Sequence, residues 1–273
     1  MKIALCSCDF VAPLHHNIRE AGHTVTHVFT SCPLESGWST QIHHFAQEMN
    51  AQFVVGAVTK EHIQQLKNQG VELLISAAYD YKIPVPNDES IKCINFHSTL
   101  LPQGRGPWPA PYILLKHPEA AGLTIHSMTD TWDFGDILLQ EKISINHSDD
   151  SDSLAAKTLQ LYAKLSKKLF KNFDKIWAER IPMTSQGEYW QMPPDAERTI
   201  TPHDEPLRIT EVFRAFGQLT LFSDGVSPPS PINKVVVWQD TCSEPVGTLI
   251  AINNILKIYA IRGGFLGVYT QRG

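Results

Sequence analysis

The chain has 273 residues, 42% of them hydrophobic and 19% charged, a globular composition with room for one large domain and a smaller companion. A formal net charge of −5 leaves no global electrostatic reason to bind a polyanion, so nucleic acid is not the expected partner. No apolar stretch approaches the ~20 residues of a membrane span, and the apolar run in MKIALCSCDF is too short for a signal peptide; a cytoplasmic protein with no membrane partner is expected.

In chain order, KIALC (2–6) reads as a buried strand, APLHHNIREAG (12–22) as a helix ending at Gly22, and TVTHVFT (24–30) as the next strand. STQIHHFAQEMNA (39–51) is helical and leads into QFVVGA. KEHIQQLKNQG then stops at Gly70, before the strands VELLISAA (71–78) and KCINFH (92–97). This alternation predicts a parallel α/β sheet, whose ligands sit beyond the C-terminal strand ends. Neither GxGxxG nor GxxxxGK[ST] occurs, so nucleotide binding through those loops is not expected. TIHSM and DILLQEKI read as two further strands. Residues 152–179 read as one amphipathic helix, with Leu154, Thr158, Leu161, Leu165, Leu169, Asn172 and Ile176 on one stripe and a solvated lysine face opposite.

Prolines 182, 193, 194, 202 and 206 mark an extended linker, which gives the expected division into a domain over 1–182, a linker over 183–202 and a small β-rich subdomain over 203–273. A short helix at ITEVFRAF precedes the short strands of that subdomain. The five cysteines lack a zinc-knuckle spacing and are expected to be reduced. The adjacent pairs His15/His16 and His43/His44 point to different helix faces, and no HExxH is present, so no metal is expected.

Chemistry concentrates in INFHSTLLPQGRGPWPAPYILL (94–115). Asn95 and His97 lie two apart on a strand, so both leave the same face at its C-terminal end. An amide and a protonated imidazole there can stabilise the oxyanion that forms when an amine attacks an acyl carbon, a donor of this kind being worth about 3 kcal/mol. The stretch GLTIHSMTDTWDFGDILLQEKI (122–143) places Asp130, Asp133 and Asp136 in one loop. Any of them could orient the imidazole and relay a proton, and spacing alone does not choose among them.

These two stretches resemble the folate-dependent formyltransferase family, which includes methionyl-tRNA formyltransferase, glycinamide ribonucleotide transformylase and the sugar N-formyltransferases. The match is N-x-H-x-x-LLP-x-x-x-G at Asn95, His97, Leu100, Leu101, Pro102 and Gly106, followed by D-x-G-D-I-L at Asp133 to Leu138. The resemblance covers roughly residues 1–180. It implies a Rossmann-like, mostly parallel α/β domain followed by a small C-terminal β subdomain, an abbreviated form of the barrel found in many members. It also implies an enzyme that uses 10-formyltetrahydrofolate as co-substrate and no metal, with Asn95, His97 and Asp133 catalytic and Asp136 structural.

SAAYDYKIP (76–84) is similar to the segment whose backbone receives the pterin, which puts Tyr79, Tyr81, Lys82 and Ile83 at the folate. Thr129 and Asp130 would close the other side of that pocket. GRGPWPAP departs from the family's more basic loop, and the acceptor contacts implied there are Arg105, Gly106 and Trp108. The last 71 residues hold six Lys/Arg, so a small amine, such as an amino sugar on a nucleotide carrier or an amino-acid derivative, is the expected acceptor rather than tRNA. A hydrolase spending the same donor on water, or a folate-binding protein without catalysis, are the rival readings.

Overall fold

A computed structural model describes residues 1–86 and 88–270. The chain divides into two compact units: Met1–Pro109, Ala120–Ser144 and Ala155–Trp190 form the first, and Ala110–Glu119, Ile145–Leu154 and the chain from Gln191 onward form the second.

In the first unit the elements run β1 (Lys2–Cys6), α1 (Ala12–Glu20), β2 (Thr24–Thr30), α2 (Thr40–Glu48), β3 (Gln52–Val55), α3 (Lys60–Asn68), β4 (Leu73–Ala77) and β5 (Lys92–His97). After α4 (Ala110–Leu115), which belongs to the second unit, come β6 (Gly122–Ser127), β7 (Ile137–Lys142), α5 (Ser151–Lys171), whose residues up to Leu154 cluster with the second unit, and α6 (Phe173–Ala178). The sheet order is β3-β2-β1-β4-β5-β6-β7, parallel from β3 to β5 and antiparallel from β5 to β7. The mostly parallel α/β sheet expected from the alternation is therefore present.

The two central strands explain themselves: in β1 everything after Lys2 is buried, β4 is buried throughout, and such unbroken apolar runs suit strands covered on both faces. Gly22 and Gly70, both at φ near +68°, end α1 and α3 in the left-handed conformation that glycine adopts without strain. Thr59 opens α3 with a capping box, its hydroxyl accepting from His62 N while the His62 ring accepts from Thr59 N. The helix expected over 152–179 is two helices. Asn172, at φ −139° and ψ 34°, leaves the helical region, and the buried face passes to Phe173 while Asn172 itself is exposed. Asparagine favours such a cap over a helix interior.

The second unit contains α4, α7 (Asp195–Arg198), β8 (Thr199–Ile200), α8 (Pro206–Phe216), β9 (Leu221–Phe222), β10 (Ser230–Gln239), β11 (Leu249–Ile252), β12 (Leu256–Ile261) and β13 (Gly264–Thr270). Its strands form a sheet in the order β11-β12-β13-β10-β9-β8. Arg214 of α8 donates to the carbonyls of Leu114 and Asp149, which joins α4 and the 145–154 segment to α8. α4 begins within the Pro-rich stretch read as loop from the sequence; its Ile113 and Leu114 are buried.

Candidate active site

The last residues of β5 set the site. β5 pairs antiparallel with β6, which puts Asn95 directly opposite His126 and His97 opposite Thr124. His126 is almost fully buried, and its Nδ1 lies 2.7 Å from the Ser127 carbonyl oxygen, so Nδ1 carries the proton and donates there. Its pKa is held down to about 4, first by burial and then by the neighbouring His97, against an opposing pull from Asp133. The ring is therefore neutral near pH 7, and Nε2 is an acceptor. Asn95 Nδ2 stands 3.3 Å from that Nε2, which fixes the amide with its NH2 group inward. The sequence offered no signal for His126 beyond its place in a strand.

His97 is 7% exposed, and its Nε2 donates to the Gly104 carbonyl at 2.8 Å. The other ring nitrogen, Nδ1, faces Asp133 Oδ1 at 3.4 Å. Asp133 comes from the loop between β6 and β7 with φ +50°, an uncommon conformation for a residue with a side chain. Its Oδ1 also accepts from Asn95 Nδ2 at 3.4 Å, and its Oδ2 accepts from the Gly106 backbone N–H at 2.9 Å. Of the three loop acids, Asp133 alone reaches the β5 pair. Asp136 binds Arg180 at 2.9 Å, and Asp130 is exposed.

The GRG segment completes this side. At Gly106, φ is +126° and an added Cβ would lie 2.0 Å from the Trp190 carbonyl oxygen, so only glycine fits beside the 188–190 chain. Arg105 is 7% exposed; its Nη1 donates to Trp132 O at 3.1 Å, its guanidinium lies 5.6 Å from the centre of the Tyr189 ring, and its Nε has no hydrogen-bond partner among the described residues. Trp108 is half-buried, whereas Trp132 and Trp38 are exposed.

The residues expected at the folate separate into two groups. Tyr79 is buried, and its hydroxyl is committed within the protein, donating to Gly56 O at 2.6 Å and accepting from Val58 N at 3.1 Å; burial pushes its pKa up. Ile83 is packed in the same apolar cluster, while Tyr81 and Lys82 are exposed. Thr129 and Asp130 line a cavity of about 580 Å³ together with Val85, Ile91, Met128 and Phe134, and with Arg180 at its wall. Asn95, His97 and Asp133 do not line this cavity, although Asp133 shares its loop.

Cys93 also lines the cavity, but burial pushes its thiol up to about 12, which suits an inert strand residue better than a nucleophile. All five cysteines are free. Among the described residues no group of three or more His, Cys, Asp or Glu side chains could hold a metal, and no helix is long and apolar enough to cross a membrane.

Known proteins share this architecture. Residues 6–167 match the family model described as Formyl transferase. The chain is 32% identical over 169 residues to a methionyl-tRNA formyltransferase of Ehrlichia chaffeensis, a match covering 58% of this chain and 56% of that protein, so the chain spans little more than half the length of this curated relative. In fold it is similar to a sugar N-formyltransferase from a Shewanella species, with TM-score 0.68 at 18% identity over 86% of this chain and 97% of that one. It is similar also to HypX from Aquifex aeolicus in complex with tetrahydrofolic acid, with TM-score 0.68 at 14% identity over 98% of this chain and 43% of that one. The family model accounts for more than half of the sequence and its match spans both motif stretches, and on that ground the chain belongs to the formyl transferase family.

Proposed function

We propose that this protein transfers a formyl group from 10-formyltetrahydrofolate to the amine of a small acceptor. The observation that carries the reading is the convergence of Asn95 and His97 of β5 on Asp133, from a loop 36 residues beyond His97, each 3.4 Å from its Oδ1. The cavity beside Met128 and Thr129 has a volume and a mixed apolar and polar lining that suit a bicyclic heteroaromatic such as the pterin. When bound, the folate supplies the activated formyl carbon.

In this reading the Asp133 carboxylate holds His97 until the amine attacks, then takes the proton the amine gives up, directly or through water, and is neutral once it has done so, while tetrahydrofolate leaves through N10. Gly104 occupies Nε2, so Nδ1, beside Asp133, is the edge of His97 that meets the oxygen of the tetrahedral intermediate, and it donates there in the doubly protonated ring that the carboxylate supports. Asn95 contributes its amide N–H, oriented by His126. No covalent intermediate is needed.

On the acceptor, Arg105 offers a partly unsatisfied guanidinium beside the exposed faces of Trp132 and Tyr189. This combination suits an acceptor with a phosphate or carboxylate and a ring, such as a nucleotide-linked amino sugar. The similarity to methionyl-tRNA formyltransferases supports an aminoacyl-tRNA acceptor as the second reading. The test is a screen of amines with 10-formyltetrahydrofolate, following tetrahydrofolate release. Turnover on amino sugars or small amines is expected. Salt-sensitive formylation of methionyl-tRNA with no small-amine turnover would move the assignment to tRNA, and release without any amine would make the protein a hydrolase.

A further inference from the structure

The loop that carries Asp133 is held along its length. Arg105 Nη1 takes the Trp132 carbonyl, Thr129 Oγ1 donates to Phe134 O at 2.8 Å, and the Asp136 backbone exchanges two 2.8 Å hydrogen bonds with Ser127. Gly135 lies so close to Ser127 that a Cβ there would stand 2.0 Å from the Ser127 carbonyl oxygen. The Asp136 side chain goes the other way. Its Oδ2 accepts from Arg180 Nε at 2.9 Å.

Arg180 is itself fixed at two further points: Nη1 donates to the Trp177 carbonyl at 2.8 Å, and the guanidinium lies 4.5 Å from the centre of the Trp177 ring. The next residue, Ile181, exchanges two backbone hydrogen bonds with Ile137, of 2.8 and 2.9 Å. The chain after α6 thus grips the exit of the loop by backbone and by side chain. Both side chains of the Arg180–Asp136 pair are partly exposed, 26% and 36%, so the pair adds little to global stability. What it does is geometric, because Asp133 sits three residues away in a backbone conformation it would leave if its neighbours allowed.

We propose that Arg180 is a positioning residue for Asp133, acting through Asp136 to hold the loop in the conformation that presents the carboxylate to His97 and Asn95. The inference rests on the reading of Asp133 as the catalytic acid, and its test has one readout that does not require formyl transfer. Ring resonances of His97, observed by NMR on histidine-labelled protein, report whether Asp133 is beside it. In Arg180→Gln these resonances should move toward those of Asp133→Asn, while Arg180→Lys should remain close to wild type. Asp136→Asn should reproduce Arg180→Gln, and the double variant should go no further than either single one, as expected when both act through one contact. In turnover, Arg180→Gln should lower kcat about tenfold with the KM for 10-formyltetrahydrofolate changed less than threefold.

Unchanged His97 resonances in folded Arg180→Gln, or in Asp136→Asn should the former fail to fold, would overturn the proposal. So would a raised KM with kcat intact, which would make Arg180 a ligand contact. A wild-type protein that transfers no formyl group would sink the proposed function and leave the NMR result standing on its own.

Discussion

Replacing Asp133 by asparagine removes one oxygen and one charge from the site while keeping the shape of the side chain. The carboxylate serves Gly106 N–H at 2.9 Å on one oxygen, and Asn95 Nδ2 and His97 Nδ1 at 3.4 Å on the other. An amide has a single acceptor oxygen, so its NH2 must confront either the Gly106 donor or the Asn95 and His97 donors. A lost charge-assisted hydrogen bond is worth about 1.5–3 kcal/mol, and a buried donor left without a partner costs about 1–3 kcal/mol. Both fall on the loop and on the ring facing it. The carboxylate of a Ser-His-Asp triad contributes about 10⁴ in turnover by holding and charging its histidine. His97 keeps a second anchor at Gly104, so the loss here should be smaller, about a thousandfold or roughly 4 kcal/mol in the barrier. The assay is tetrahydrofolate release at saturating donor and acceptor, with thermal unfolding followed on the same samples. Asp130→Asn, at an exposed position, should stay near wild type, and Asp136→Asn should lose about tenfold. Activity of Asp133→Asn within tenfold of wild type, or an inactive Asp136→Asn beside an active Asp133→Asn, would refute the assignment of the loop acid.

His97→Ala and Asn95→Ala should each lower turnover by about a hundredfold or more with the fold retained, because such donors act mainly in the transition state; near-normal rates in His97→Ala would contradict the site. Gly106→Ala should unfold several degrees lower and lose most of its activity, since its Cβ has no room beside Trp190 and its N–H would leave Asp133; a thermal midpoint equal to wild type would mean the 188–190 chain yields freely. Acid should destabilise the protein through two buried histidines, His126 and His15, both held down to about 4 with burial as the main cause. Their folded pKa values lie below the unfolded one, so stability is fully present above about pH 6.5 and is lost as pH falls toward 4, by up to about 3 kcal/mol for each. Chemical denaturation at pH 7 and pH 4.5 reads this loss, and a His15→Gln variant with an undiminished acid slope would exclude His15 as a contributor.

Much of the first unit can be read directly from the chain, because buried parallel strands are continuous apolar runs and glycines mark the helix ends. Asn95 and His97 were visible for the same kind of reason: two-residue spacing on a strand fixes a shared face, whatever the rest of the fold does. Asp133 was not separable from Asp130 and Asp136 by spacing, since a loop has no period, and the family motif rather than the local pattern distinguished it. His126 escaped because its importance comes from antiparallel register, which a single strand does not encode. Arg180 escaped because its partner lies 44 residues away, on the far side of β7, α5 and α6. The break at Asn172 was hidden by an apolar stripe that continues in α6 with a changed phase.

The interleaving of the two units has a bearing on how the polypeptide comes off the ribosome. Ala110–Glu119 and Ile145–Leu154 cluster with the chain beyond Gln191, although both precede the end of the first unit in sequence. A nascent chain ending near Trp190 would hold every strand of the first unit's sheet, yet it would carry α4 without α8, whose Arg214 binds the Leu114 carbonyl. Ile113 and Leu114, buried in the finished protein, would have no apolar surface of their own unit to cover them. Cutting after Trp190 therefore leaves α4 as an uncovered apolar helix, whereas 145–154 is already polar, and a fragment that stays in solution would need α4 shortened or made polar.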